Sequence, residues 1–233
     1  MHKWLPLILL LGCATEISPL TPEENAQQHA ETAAAQHAIA TADYPAAHAL
    51  LQPLADNSNA HARFLLAQLH AQGHGIPQDL ATARDLLQQA AQQGHAPAQY
   101  HYAQMLDPQD SATHTWYHRA AEQDYPPAQY HLAALLDARG DHSAAATWYE
   151  RAARQQHPGA QYALGRHHRK NGDIPQAIHW LELAATQGEN GAQFDLAMLH
   201  LQHDDRERAI PWLQQAAAAG HPQARKALKT LGL

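Results

Sequence analysis

Apolar and small residues recur along this chain with two nested periods. Within short stretches they follow the 3.6-residue period of an amphipathic helix, and the whole pattern returns about every 32 residues. Trp116, Trp148, Trp180 and Trp212 stand 32 residues apart. Four residues after each comes an alanine pair: Ala120-Ala121, Ala152-Ala153, Ala184-Ala185 and Ala216-Ala217. Ala90-Ala91 is the same pair in an earlier unit, with Leu86 in place of the tryptophan. A second column of alanines, Ala62, Ala98, Ala128, Ala160, Ala192 and Ala224, opens the other helix of each unit. Leu50, Leu54 and Ala55 carry the series back to a degenerate first unit that starts at Ala26.

The spacings separate two kinds of link. From the second alanine of a pair (or Ala55) to the next opening alanine the count is seven every time. From opening alanine to the Trp position it is 24, 24, 18, 20, 20 and 20. A constant link between units and a variable link within them is what a stacked solenoid requires, because the inter-unit joint sets its twist. The inner turn lies on an open edge and tolerates length changes. Composition agrees. Valine is absent, Ile occurs seven times and aromatics are 6%, so the chain lacks the residues that fill a pleated sheet. Ala, Leu and Gln favour helix. The expected fold is all-α.

The units resemble the Sel-1-like repeat, a relative of the tetratricopeptide repeat, in which an Ala-led helix, a Gly-rich turn, an Asp, Trp-Tyr and Ala-Ala follow one another. Gly73-His74-Gly75-Ile76-Pro77-Gln78-Asp79 is the fullest turn, although Leu86-Leu87 replace Trp-Tyr there. Trp116-Tyr117 and Trp148-Tyr149 match with shorter turns, and the units of Trp180 and Trp212 look more tetratricopeptide-like. The resemblance implies a right-handed α-solenoid of stacked two-helix repeats. The division it suggests is a degenerate first repeat over 23–58, five Sel-1-like repeats over 59–221, and a capping helix over 222–233.

Sorting each first helix at about 100° per residue leaves one free arc, at offsets +3, +6 and +10 from the opening alanine. It carries His101 and His131, Gln104 and Arg166, Lys170 and Asp195, bordered at offset +2 by Tyr100, Tyr130 and Tyr162. In the repeat family the first helices line the concave surface, so these nine residues are the expected partner-binding groove. The Gln after each opening alanine (Gln27, Gln99, Gln129, Gln161, Gln193) falls between buried offsets. It is expected to hydrogen-bond nearby turn backbone. The Trp column is expected to pack in the core of the second helices.

Residues 1–12 read as a short secretory signal, and the apolar run from Trp4 to Leu11 is much shorter than the ~20 residues a bilayer span needs. Leu10-Leu11-Gly12-Cys13 resembles the lipobox of bacterial lipoproteins. That implies lipidation of Cys13, a lipidated tether over 13–22, and a membrane-bound mature chain. Ala14 after the cysteine points by the same resemblance to the outer membrane, facing the periplasm. Thr21-Pro22-Glu23-Glu24 carries the signature of a helix start.

The formal charge of −7 and scattered Lys/Arg argue against nucleic acid. No nucleophile with its base, phosphate loop or metal triad stands out, so neither enzyme nor cofactor is expected. Twenty histidines are a large excess. His114/His118 and His200/His203 have chelating helical spacings, yet no compact Cys/His cluster accompanies them and no metal site is expected. Protonation near pH 6.5 would instead alter surface charge and partner binding. The sequence points to an envelope scaffold holding a protein or peptide partner, with a metal- or glycan-binding lipoprotein as the alternative.

Overall fold

A computed structural model describes residues 21–233; the signal over 1–12, the lipidation call at Cys13 and most of the tether lie outside the described residues. Thirteen helices follow one another there, with no strand among the described residues: α1 (Pro22–Ala40), α2 (Tyr44–Asp56), α3 (Ala60–Gln72), α4 (Leu80–Gln92), α5 (Ala96–Gln104), α6 (Ser111–Glu122), α7 (Pro126–Ala138), α8 (His142–Arg154), α9 (Pro158–Lys170), α10 (Ile174–Thr186), α11 (Asn190–Gln202), α12 (Arg206–Ala218) and α13 (Pro222–Thr230). Each helix packs mainly on the one before and the one after it. The apolar interior is accordingly a chain of five small clusters rather than one centre. This is the all-α stacked repeat that the two periods imply, and none of its described helices is long and apolar enough to cross a membrane.

Caps set the helix boundaries. Thr21 and Glu24 form a reciprocal capping box at the start of α1. Every second helix of a pair begins with an aspartate, Asp43, Asp79, Asp110, Asp141, Asp173 or Asp205, that accepts a backbone N–H bond. Each such cap contributes about 1 kcal/mol. His95, His157 and His221 cap first helices through Nδ1, which accounts for two of the histidines that follow glycine. His74, another of these, instead stacks on Tyr44 at 4.4 Å.

The joint between units repeats to the atom. In all six joints the residue opening the next first helix donates its N–H five residues back (His95 to Ala90, His221 to Ala216), at 2.8–3.3 Å. This bond closes a Schellman-type helix end. The carbonyl one residue later takes a side chain from eight residues on. Gln99, Gln129, Gln161 and Gln193 donate Nε2 to Ala91, Ala121, Ala153 and Ala185 at 3.1–3.2 Å. Arg63 and Arg225 do the same to Ala55 and Ala217 at 2.9 and 3.3 Å. The structural reading of the glutamine column is therefore correct, except at Gln27, which has no described joint behind it and bonds Glu31.

Three glutamines are also tied to the following joint, at the end of the second helix of their own unit. Gln123, Gln155 and Gln187 donate to the Oε1 atoms of Gln99, Gln129 and Gln161 at 2.8, 2.9 and 2.6 Å. The next member of that donor column is Ala219. Gln193 Oε1, in a side chain only 5% exposed, consequently has no partner.

The tryptophans pack against the core, as expected, but do not form its centre. Trp116, Trp148, Trp180 and Trp212 are half-buried at the edges of the clusters. The buried stripe of each second helix runs instead through the next residue: Leu87, Tyr117, Leu181 and Leu213 are 0–6% exposed. These residues lie four after the small residue (Ala83, Thr113, Ala177, Ala209) and three before the alanines, so they share its face. In unit four the equivalent Tyr149 is itself half-buried.

Candidate partner-binding groove

The nine residues read as a groove divide into two groups. The first lies where α5 stops. This helix has 9 residues against 13 in α7, α9 and α11, so Met105 is left 37% exposed. The missing turn opens a cavity of about 230 Å³ between α5, α6 and α7. Gln104, Tyr117 and His131 line it together with Leu106, Pro108 and Leu135. Its walls are pre-arranged. Gln104 donates to the Tyr100 hydroxyl at 2.9 Å, and its Oε1 stands 3.0 Å from His101 Nδ1. The His131 ring stacks on Tyr117, centroids 5.6 Å apart and 10° from parallel, and touches Tyr100 and Tyr130 at 5.4 and 5.3 Å. Tyr130 continues the series, stacking on His157 at 4.8 Å.

Burial decides the charge of this wall. Desolvation holds His101, His131 and His157 below the usual imidazole range; a hydrogen bond to Gln104 partly opposes it at His101, and nearby His131 reinforces it at His157. Desolvation, with Tyr100 beside it, pushes the Tyr117 phenol up to about 12. At neutral pH the cavity is thus uncharged and mostly apolar, with a few hydrogen-bonding groups. The broad protonation of histidines near pH 6.5 is corrected accordingly, because those lining the stripe resist it.

The second group lies on α9 and α11. Asp195 pairs with Arg169 at 3.3 Å, and the Arg166 guanidinium lies 5.7 Å from the Tyr162 ring centre. Tyr162 is half-buried against Gly191, where an added Cβ would come within 2.8 Å of the ring. Lys170 is exposed at the end of α9, and His167 is exposed and bonds Asn171 at 3.0 Å. Sequence reasoning missed Tyr117, Leu106, Pro108 and Arg169. The count of 18 in the third unit was the available signal for the first three.

Among the described residues no three His, Cys, Asp or Glu side chains gather as a metal site. His114 and His118 stack with centroids 6.1 Å apart; His200 is buried while His203 is exposed.

The family described as Sel1 repeat matches residues 60–95, 96–125 and 126–157, and that described as tetratricopeptide repeat matches 162–224. Among solved structures, c5321, a protective antigen of uropathogenic Escherichia coli with an SLR fold, is 26% identical at a TM-score of 0.73, covering 84% of this chain and 46% of its own. A Sel1 repeat protein from Oxalobacter formigenes is 29% identical at 0.70, covering 80% of this chain and 59% of its own. This chain therefore spans less than two thirds of either. Pseudomonas aeruginosa PilF, 15% identical at 0.67, shares the fold over 89% of this chain and 99% of its own. No curated protein matches the sequence. Repeats of these two kinds generally mediate protein–protein interaction. With three Sel1 matches followed by a tetratricopeptide match on one continuous stack, the chain belongs to the Sel1-like, tetratricopeptide-like repeat proteins.

Proposed function

We propose that the protein is a lipid-anchored scaffold of the bacterial envelope that holds an extended segment of a protein partner in the concave groove of its first helices. The observation that carries the reading is the cavity of about 230 Å³ beneath the shortened α5, placed on the free stripe between Gln104 and His131. It suits one apolar side chain of the partner, while the Gln104 amide and the His131 ring supply hydrogen bonds to its backbone. Arg166, Lys170, Asp195 and Tyr162 would extend the contact along the next two units. The lipobox-like Leu10-Leu11-Gly12-Cys13 supports the anchor, and Ala14 supports the outer membrane facing the periplasm.

Ala134 lines the cavity without being buried, so Ala134→Trp fills it. Peptides selected from a random display library on the parent protein are expected to share one apolar anchor residue and to lose binding to Ala134→Trp with helicity unchanged. Peptides that bind both proteins equally would refute the groove. Independently, Cys13→Ser is expected to move the protein from the membrane fraction to the soluble one.

A further inference from the structure

The half-buried tryptophans are not equally covered. In units three and four the residue three positions on is an arginine, and its guanidinium lies over the ring: Arg119 at 4.8 Å from the Trp116 centre and Arg151 at 4.7 Å from that of Trp148. In unit four a carboxylate completes the arrangement, with Asp124 2.7 Å from Arg151. In unit six the corresponding residue is Gln215, and no cation of the chain lies on Trp212 among the described residues. The space is open instead, as a cleft of about 620 Å³ between α10, α11 and α12. Glu182, Asp205 and Glu207 line it with Trp212, and Arg208 is the one cationic side chain there, already paired with Asp205 at 3.4 Å. His200 also lines the cleft, its side chain 6% exposed and its Nδ1 3.8 Å from Asp205, beyond hydrogen-bond length.

We infer that the Trp212 cleft is a binding site for an arginine side chain of a protein partner, separate from the first-helix groove. The chain itself shows the occupant: two of its own units lay a guanidinium on the equivalent ring. Unit six supplies the ring and the carboxylates but leaves the guanidinium out. The chemistry is complementary on each side. The indole face attracts a planar cation, and Glu182 and Glu207, both exposed, can take its N–H groups in the fork geometry that a carboxylate and a guanidinium share. None of these residues belongs to the groove, so the site stands or falls without it.

The test supplies the missing group from inside. Gln215→Arg on the full chain places a guanidinium where units three and four have theirs. Gln214→Arg, on the neighbouring exposed position, adds the same charge elsewhere. A short fluorescein-labelled polyarginine peptide, with a polycitrulline peptide of equal length as the neutral isostere, is titrated at constant ionic strength. The parent protein is expected to prefer polyarginine. Gln215→Arg and the double variant Glu182→Gln/Glu207→Gln are expected to weaken binding by about tenfold, and Gln214→Arg by much less. Equal losses for Gln214→Arg and Gln215→Arg would reduce the effect to net charge and overturn the site. Equal binding of the two peptides, or undiminished binding to Gln215→Arg, would overturn it too.

Discussion

The joints between units and the turns within them alternate along one stack and behave oppositely. Each joint closes with two hydrogen bonds of fixed register, one from the backbone five residues on and one from a Gln or Arg eight residues on. The inner turns share only an aspartate cap, and they range from residues 73–79 between α3 and α4 to residues 171–173 between α9 and α10. A joint therefore transmits geometry from unit to unit, whereas an inner turn can lose residues at little cost. In the third unit the first helix has given up its last turn, and a cavity stands in its place. In this molecule the rigid link makes the rod and the permissive link makes the candidate site.

Breaking a joint should have the largest effect. Gln129, fully buried, donates to Ala121 and accepts from Gln155. Gln129→Leu removes both bonds, although Ala121 keeps the Asp124 N–H and Gln155 is exposed, and a loss of about 1–2 kcal/mol is expected in urea unfolding. Gln104→Leu, on the exposed stripe, is expected to change stability by less than about 0.5 kcal/mol.

A smaller effect should appear on acidification. His95 caps α5 in a joint and faces His61 Nδ1, with 3.1 Å between the nitrogens, and the Phe64 ring. Desolvation, aided by His61, lowers its folded pKa to about 4, well below that of the unfolded chain. The unfolded state therefore takes the proton first. The contribution is intact above about pH 6.5, is lost as pH falls toward 4, and is flat below. After discounting for partial exposure it amounts to about 1–2 kcal/mol. His95→Asn keeps a capping side chain and is expected to flatten the fall in melting temperature over that window.

The smallest change extends the glutamine donor column by one member. Ala219→Gln would offer an amide to the unpaired Gln193 Oε1, and a gain of about 1 kcal/mol is expected. No gain would mean that the glutamine series is packing rather than bonding.

The joints were legible because their chemistry is local. A count of seven and a Gln at a buried angle suffice to place a polar group beside a helix end that needs one. The helix start was equally plain at Thr21. Three things were not. The Trp column drew the eye by its size, although a stripe through Thr113, Tyr117 and Ala120 follows the helical face better than one through Trp116. Histidine charge depends on burial between neighbouring units, which single-helix angles do not report. The cavity arises from an absence, the turn of helix that α5 lacks. A shortened spacing shows that residues are missing but not that the space remains open.

The most direct measurement restores that turn. Replacing residues 105–110 by the sequence of 135–141 would continue α5 as α7 continues and fill the notch, leaving every joint intact. An unchanged or higher melting temperature is expected together with loss of the peptides selected on the parent protein. Retention of those peptides at full affinity by the lengthened protein would contradict it.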